Sequence, residues 1–253
     1  MPISSSKIFD PEVERKLRLL WNDEHSPIFV HPKMIRSLIE FVADHAAEKL
    51  HNKSKTELNK NNLTRLRVMY EMRQHFQEYQ SFIPPGSTIL DIGTGTGFTA
   101  DYIKQQVPQT QITGLDVTNH VDYPHLIPRV LYDGERMPFT DKSFAISLLF
   151  YTLHHARKPE SVLKEAMRVT SKTIIVIEEF EFEEASHEEQ MLLEQKTLMQ
   201  IGLGNEFYHN NLTQQYLEDL AKDNKLQIKK TIRLPTVSPR KLEKHLFVLT
   251  VPH

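Results

Sequence analysis

Residues 89–97 read Ile-Leu-Asp-Ile-Gly-Thr-Gly-Thr-Gly and contain three of the eight glycines in the chain, at alternate positions. An apolar run precedes the glycines, and a helix-compatible segment, Phe98 to Val107, follows them. This pattern predicts a strand, a tight turn and the start of a helix. Glycine permits positive φ and close approach of a ligand to the backbone, and a helix N-terminus offers unpaired N–H groups. The segment is therefore typical of a loop that binds a nucleotide-type cofactor.

Strand and helix patterns alternate from Ser87 onward. The predicted strands are 88–92, 111–117, 129–132, 144–150, 173–177, 226–234 and 245–251, and the later helices are 159–169, 186–201 and 213–223. Alternation of this kind predicts a parallel sheet covered by helices on both faces. The last two strands have no helix between them, so we expect them to pair antiparallel at one edge. Residues 170–172 are predicted to form a turn without glycine.

Residues 1–83 have a different pattern, with helices predicted at 10–21, 32–42 and 63–79 and no strand signal. The sequence Pro84-Pro85-Gly86 ends this region, because proline and glycine interrupt helices. We therefore expect a helical N-terminal extension or lid over residues 1–83 and a cofactor-binding domain over residues 84–253.

The bulk composition limits the possible partners. With 31 Lys and Arg against 33 Asp and Glu, the net charge is −2, so no nucleic-acid partner is expected. Cysteine is absent and the 13 histidines lack ligand spacing, so no metal site is predicted. No run reaches transmembrane length and the N-terminus lacks a signal-peptide core. We expect a cytoplasmic protein without a membrane segment, and its oligomeric state is open.

The spacing around the glycines narrows the choice of cofactor. A dinucleotide fingerprint needs a third glycine where Phe98 stands, and a phosphate loop needs a Gly-Lys-Ser/Thr end that is absent here. The Asp91 carboxylate at the tip of the first strand would repel a pyrophosphate, but it suits a cofactor that carries an amine and a sulfonium. Asp116, at the end of the second strand, can accept hydrogen bonds from a ribose diol. Asp133, after the third strand, can accept from an adenine amino group.

The chain resembles the class I S-adenosylmethionine-dependent methyltransferases, in the small-molecule group (methyltransferase type 11) related to the ubiquinone and menaquinone methyltransferases. Five features in family order carry this resemblance across residues 87–180. They are Asp91-x-Gly93-x-Gly95-x-Gly97, the Asp116 strand tip, Asp133-Gly134-Glu-x-Met-Pro138-Phe139, the Leu153-His154-His155 turn and Leu-x-Glu165-x-x-Arg168-Val169. The resemblance implies a Rossmann-like α/β fold, in which a doubly wound, mostly parallel seven-stranded sheet has an antiparallel edge strand.

The resemblance also implies S-adenosyl-L-methionine as cofactor and roles for individual residues. Gly93, Gly95 and Gly97 would pass beneath its amino-acid part, while Val117 and Gly134 would lie beside the adenine. Phe150 and Tyr151, which end the fourth strand, would face the methionine portion or contact the sulfonium by a cation–π interaction. His154 is a candidate general base, although a cap of the following turn explains it equally well.

The expected activity is in-line methyl transfer to a small-molecule acceptor. Two alternatives stay open: a non-catalytic protein that binds S-adenosylmethionine, and a methyltransferase of proteins or nucleic acids. The loop after the fourth strand reads Phe-Tyr-Thr-Leu-His-His and lacks the Asn-Pro-Pro-Tyr type of motif that is typical of exocyclic-nitrogen and glutamine methylation. A dehydrogenase is disfavoured because the dinucleotide spacing fails.

Overall fold

The computed structural model describes residues 72, 74–95, 97–118, 127–181, 210, 212–234 and 242–252. Within these residues seven strands form one sheet with the order β3-β2-β1-β4-β5-β7-β6. The strands are β1 (Thr88–Ile92), β2 (Gln111–Asp116), β3 (Arg129–Leu131), β4 (Phe144–Phe150), β5 (Thr170–Glu181), β6 (Gln227–Leu234) and β7 (Leu242–Thr250). The helices α1 (Phe98–Gln106), α2 (Pro159–Val169) and α3 (Gln214–Asp223) connect them, with 3-10 turns at Gln80–Phe82 and Leu153–His155.

Strands β3, β2, β1, β4 and β5 run parallel, while β7 is antiparallel to its neighbours β5 and β6. The predicted fold class, a doubly wound and mostly parallel Rossmann-like sheet of seven strands, is therefore confirmed. The reversed strand is β7, which lies one place inside the edge strand β6. As predicted, these last two strands pair antiparallel at one edge.

Strands β1 to β4, strand β6 and the three helices begin and end within one residue of the predicted bounds. The prediction of a turn at residues 170–172 was wrong, because β5 begins at Thr170, directly after α2. Thr170 is already extended at φ −101° and ψ 134°, and its hydroxyl donates to the Ala166 carbonyl at 2.5 Å. The Ala166 carbonyl also accepts the Thr170 backbone N–H, so the same residue closes the last turn of α2 and begins β5. The helices predicted at 10–21, 32–42 and 186–201, and the first part of 63–79, lie outside the described residues.

The sheet separates two apolar cores because strand side chains alternate between its faces. One face carries Leu90, Ile174 and Phe247 and packs against α2 and α3. The other carries Ile89, Ile175 and Val248 and packs against α1 and the helical residues 74–79. We refer to these as the α2 face and the α1 face.

The helical residues 74–79 lie on the α1 face, where Phe76 and Tyr79 join its core. The Tyr79 ring lies 5.2 Å from that of Phe150 at the end of β4. Lys230 of β6 donates to the Glu78 carbonyl at 2.6 Å and to its carboxylate at 2.9 Å. This segment therefore belongs to the core of the sheet, and the predicted boundary at residue 83 stays a prediction about folding units.

Arg168, near the end of α2, holds the segment between β3 and β4. Its guanidinium donates to the carbonyls of Met137 and Phe139 and to the carboxylates of Asp141 and Glu165, at 2.7 to 2.9 Å. Glu165 in turn accepts the Met137 N–H at 2.9 Å, and the hydrogen bond from Arg168 lowers the pKa of Glu165. Within the family motif, Glu165 and Arg168 thus fix a loop.

We predict that Arg168→Met lowers the free energy of unfolding by about 2 kcal/mol, because several charge-assisted hydrogen bonds are lost together. Urea unfolding followed by circular dichroism measures this change. Arg157→Met, in an exposed turn of the same domain, is the matched control and is expected to change stability little. Equal effects of the two substitutions would contradict the role of Arg168.

Candidate functional site

The carboxyl ends of the parallel strands meet at one edge of the sheet. The chain runs from β1 outward to β2 and β3 and then crosses to β4 on the other side of β1, so a topological switch point lies between β1 and β4. Ligands of open α/β sheets bind outside the strand ends at such a point. The polar residues at this edge that lie on the α1 face are Asp91, Asp116, Tyr151, Glu179 and Lys244.

The glycine loop between β1 and α1 has the backbone that its sequence demands. Gly93, Gly95 and Gly97 all have positive φ, at +71°, +53° and +82°. The N–H groups of Gly93 and Thr94 donate to the Leu115 carbonyl of β2, at 2.8 and 3.1 Å. These bonds hold the loop across the carboxyl ends of β1 and β2, directly before α1 begins.

Glycine is also required at position 93 because the turn after β4 packs closely against it. A Cβ atom at Gly93 would lie 2.6 Å from Oγ1 and 2.7 Å from Cγ2 of Thr152. The Thr152 hydroxyl donates to the Ile92 carbonyl at 3.0 Å. Two neighbouring loops, one on each side of the switch point, are therefore packed directly against each other.

Glu178, fully buried near the end of β5, fixes that turn. Its Oε1 accepts the N–H groups of Thr152 at 2.9 Å and Leu153 at 2.6 Å, while Oε2 contacts Nδ1 of His154. A buried carboxylate is favourable only when it is fully hydrogen-bonded. Glu178 thus joins β5 to Thr152 and, through Thr152, to Gly93.

Asp91 is buried beneath the glycine loop and accepts a hydrogen bond from the Thr94 hydroxyl at 2.7 Å. Burial raises the pKa of Asp91 to about 7, with a further increase from Asp116. Thr94 and the Arg129 charge act in the opposite direction. The space for Thr94 comes from Gly114 of β2, where a Cβ atom would lie 2.8 Å from the Thr94 methyl group.

Asp116 holds the glycine loop from the β2 side. Its Oδ2 accepts the Gly95 N–H at 2.7 Å and its Oδ1 accepts the Thr118 N–H at 3.0 Å. Arg129, at the start of β3, donates from Nη2 to the Gly95 carbonyl at 2.6 Å. Nε and Nη1 of Arg129 are buried without a hydrogen-bond partner among the described residues.

The residues predicted to lie beside the adenine are at an exposed part of the same sheet edge, which we call the outer lip. Among the described large apolar side chains Val117 is the most exposed, at 60%, and it lies beside Gly134, whose φ is +82°. Asp133 accepts the N–H groups of Glu135 and Arg136 through Oδ1, at 2.8 and 3.2 Å. These backbone hydrogen bonds lower the pKa of Asp133, so the residue forms the turn while its carboxylate stays at the surface.

Phe150 and Tyr151 both pack against the α1-face core, but they have different polar and aromatic neighbours. Phe150 packs into the α1-face core beside Tyr79. Tyr151 has φ +54°, its hydroxyl lies 3.3 Å from Nδ1 of His75, and its ring lies 5.0 Å from the Lys244 ammonium. Both residues lie at the carboxyl end of β4, and their contact with a cofactor stays a prediction.

His154 is buried in the 3-10 turn after β4, with 3% of its side chain exposed. Its Nδ1 faces Glu178, and its carbonyl accepts the backbone N–H of Asn210 at 2.7 Å. The ring of His155 lies 3.9 Å away. This geometry places His154 in the contact between β5 and the turn, and its role as a base stays a prediction.

The structure brings Asp91, Gly93, Gly95, Gly97, Asp116, Phe150 and Tyr151 together around the switch point, with Val117, Asp133 and Gly134 on its outer lip. Sequence reasoning missed Thr94, Gly114, Arg129, Thr152 and Glu178, which support the glycine loop. The paired threonines within the glycine run were a usable signal for Thr94. The others carry no local signal in the sequence, because they come from other strands and turns and lie beside the loop only after the sheet has formed.

The described residues contain neither a candidate metal site nor a membrane-spanning helix. Those residues contain no group of three or more His, Cys, Asp or Glu side chains that could hold a metal ion. No helix within the described ranges is long and apolar enough to span a membrane.

Comparison with known proteins identifies the domain. Residues 90–177 match the family model described as a methyltransferase domain. This segment carries the glycine loop, Asp116, Asp133 and the Glu165–Arg168 pair. The predicted resemblance to methyltransferases is confirmed over these residues.

Individual relatives are distant. A demethylmenaquinone methyltransferase of Thermotoga maritima is 31% identical over 91 residues, which are 33% of this chain and 39% of the relative. The chain thus spans well under half the length of this curated relative. A crystal structure of a SAM dependent methyltransferase from Aquifex aeolicus has a TM-score of 0.53 at 14% identity, covering 70% of this chain and 88% of the other. The cyclase SpnF has a TM-score of 0.55 at 15% identity, covering 73% and 82%.

We predict that Gly93→Ala destabilises the protein more than Gly86→Ala does. Both glycines have similar positive φ, but a Cβ atom at Gly86 meets nothing within 4 Å, whereas one at Gly93 meets Thr152. Gly86→Ala is expected to cost about 1 kcal/mol from backbone strain, and Gly93→Ala about 1–3 kcal/mol more from overpacking. Urea unfolding of both variants measures the difference. If the two costs are the same, the Thr152 contact is not tight.

We predict that Asp91→Asn stabilises the protein at high pH. Because the pKa of Asp91 is about 7 in the folded state and 3.8 for an unperturbed aspartate, the folded state binds more protons between these values, and stability falls as pH rises through that window. Removing the charge avoids this loss, which is on the order of 4 kcal/mol above pH 7. Urea unfolding at pH 4.5 and pH 8 tests it, with the exposed Asp223→Asn as control. A stability difference that does not grow with pH would contradict the buried charge.

Proposed function

We propose that this chain, whose residues 90–177 form a class I methyltransferase domain, is an S-adenosylmethionine-dependent methyltransferase that acts on a small-molecule acceptor. The observation that carries the proposal is the pair of buried carboxylates, Asp91 and Asp116, on the α1 face beside a glycine loop. Both carboxylates already accept hydrogen bonds within the loop, but burial disfavours the negative charge of Asp91, and a cationic ligand beside it would favour that charge.

The described residues fit the proposed cofactor group by group. The ribose diol would bind to Asp116, whose two oxygens already face the loop and the strand end. The amine of the methionine part would bind near Asp91, and the adenine would lie against exposed Val117. When bound, the cofactor supplies an activated methyl group, so the protein mainly has to align the acceptor with it.

The small-molecule acceptor is supported by the relatives and by the charge of the chain. The Thermotoga relative is named for a quinone acceptor, and its likeness covers 33% of this chain. The net charge of −2 gives no electrostatic drive toward nucleic acid. A soluble cytoplasmic enzyme agrees with this proposal.

The main alternative is a protein that keeps the cofactor site without transferring a methyl group. The structural likeness to SpnF, which is named a cyclase, is the reason to retain it, because one fold hosts several chemistries. The intact Asp91, Asp116 and glycine loop agree with binding in either case. Only turnover separates the two functions.

We predict that the protein binds S-adenosylmethionine and its demethylated product but not NADH, as measured by isothermal titration. Asp116→Asn is expected to weaken the sulfur cofactors by roughly 1–3 kcal/mol, since charged hydrogen bonds to the ribose are lost. Asp223→Asn, at the exposed end of α3, is the matched control and is expected to leave the affinity unchanged. Binding of NADH alone would indicate a dehydrogenase instead, and unchanged affinity in Asp116→Asn would remove that residue from the site.

Transfer of labelled methyl groups from S-adenosylmethionine into fractionated metabolite extracts tests the activity. Labelled product in a small-molecule fraction supports the proposal, and label in protein or nucleic acid alone contradicts it. The absence of any labelled product would favour the non-catalytic alternative.

His154 is proposed as a base only through Nε2, because Nδ1 faces Glu178. If it acts as a base, His154→Asn should change the pH profile of the rate.

A further inference from the structure

Arg129, at the start of β3, contacts the middle of the glycine loop although the loop follows β1, two strands away. It stands beside Gly114 of β2 in the parallel register, and its Nη2 donates to the Gly95 carbonyl at 2.6 Å. Asp116 accepts the N–H of the same glycine at 2.7 Å. Gly95 is therefore held at its N–H by an anion and at its carbonyl by a cation.

Hydrogen bonding satisfies only part of the Arg129 guanidinium. Its Nε and Nη1 are buried and have no hydrogen-bond partner among the described residues. Its Nη2 lies close to the start of α1, since a Cβ atom at Gly97 would be 3.8 Å from it. Buried donors without partners destabilise a fold, and a cation is unfavourable at a helix N-terminus, where the helix dipole is positive. Stability alone therefore does not explain an arginine at this position.

The two carboxylates beside the loop give the cation a purpose. Asp91 and Asp116 are both buried. Burial raises the pKa of Asp91 to about 7, the charge of Asp116 raises it further, and the charge of Arg129 acts in the opposite direction. Two neighbouring carboxylates do not both ionise readily unless a cation offsets their repulsion. Arg129 supplies such a cation.

The other titratable groups near Asp91, among the described residues, are tyrosines. Burial, with a further contribution from the Asp91 charge, raises the pKa of Tyr79 well above its usual range, so this phenol stays neutral near pH 7. Two further tyrosines, Tyr102 and Tyr151, act on Tyr79. On β4 the neighbour of Asp91 in register is the apolar Leu148. Apart from burial and the hydrogen bond within the loop, the charge of Asp91 thus depends on the charged residues of β2 and β3.

We propose that Arg129 is a positioning residue for the cofactor, because its guanidinium offsets the repulsion between Asp91 and Asp116 and thereby keeps Asp91 an anion that can bind the amine of the methionine part. This inference rests on the proposed function and adds to it a residue that need not touch the cofactor. The hydrogen bond of Arg129 goes to the loop backbone, so the residue acts on the ligand through Asp91 and the glycine loop.

Two ligands separate this role from a general contribution to folding. S-adenosylhomocysteine, the demethylated cofactor, carries the amine, whereas methylthioadenosine has the same nucleoside and a thioether without the amino-acid part. Damage to the loop should weaken the binding of both ligands, but protonation of Asp91 should weaken only the binding of the ligand with the amine. The ratio of the two dissociation constants, which we call the amine preference, therefore reports the charge of Asp91. Because the pKa of Asp91 is about 7, the amine preference of the unmodified protein should rise between pH 6.5 and pH 8.

Isothermal titration of both ligands at pH 6.5 and pH 8 measures the amine preference in Arg129→Gln and Arg129→Lys. Glutamine keeps an N–H donor for the Gly95 carbonyl but has no charge, whereas lysine keeps the charge. We expect Arg129→Gln to lower the amine preference by roughly threefold or more at pH 6.5 and by much less at pH 8, because Asp91 then ionises only at higher pH. Arg129→Lys is expected to retain the amine preference within about twofold at both pH values.

Arg233→Gln is the matched control, because it removes an arginine charge that is 62% exposed on β6, at the opposite edge of the sheet. It should leave the amine preference unchanged. An equal loss of affinity for both ligands in Arg129→Gln, with the amine preference unchanged at both pH values, would overturn the proposal. If Arg129→Gln does not fold, Arg129→Lys still decides, since a clear loss of the amine preference in that variant contradicts a role of the charge.

Titration of the unmodified protein separates this proposal from the one on which it rests. If the unmodified protein does not bind S-adenosylhomocysteine, the proposed function fails. If it binds that compound and the amine preference does not change in Arg129→Gln, only the role of Arg129 fails.

Discussion

The contact between Thr152 and Gly93 is the constraint on which the edge of the sheet depends. It fixes the glycine loop after β1 against the turn after β4, and both loops border the switch point. Glu178 holds Thr152 from β5, and the Leu115 carbonyl holds Gly93 from β2. The loop is therefore anchored from four consecutive strands before any ligand binds. Such preorganisation lowers the entropy that binding would otherwise cost.

Electrostatics at the same edge oppose stability. Asp91 is buried with a raised pKa, and Lys244 and Glu179 are buried as a pair on the other side of β4. Each would be replaced by an apolar side chain if folding were the only requirement. The proposed cofactor is a cation, so the Asp91 charge is placed where its ligand would neutralise it. Stability and the proposed function therefore make opposite demands on the same residues.

The motifs that suggested the family divide into two physical groups. Asp91, the glycines and Asp116 surround the proposed cofactor site directly. Glu165 and Arg168 lie at the other end of α2 and fix the segment between β3 and β4. His154 lies between these groups, since it joins Glu178 in holding the turn that contacts Gly93. Some residues of the family motifs thus surround the proposed cofactor site, and others stabilise the fold.

The sequence by itself determined the sheet, the order of its elements and the glycine loop. Alternating patterns and the glycine spacing are local, and local patterns fix element type, strand faces and the need for positive φ. The start of β5 was missed because Thr170 both closes the last turn of α2, through its hydrogen bonds to Ala166, and is the first residue of the strand. Only the tertiary structure decided which residues support the loop and which charged residues are paired in the core. Thr152, Glu178, Arg129 and Lys244 come from separate strands or loops, and their contacts exist only after the sheet has brought those distant segments side by side.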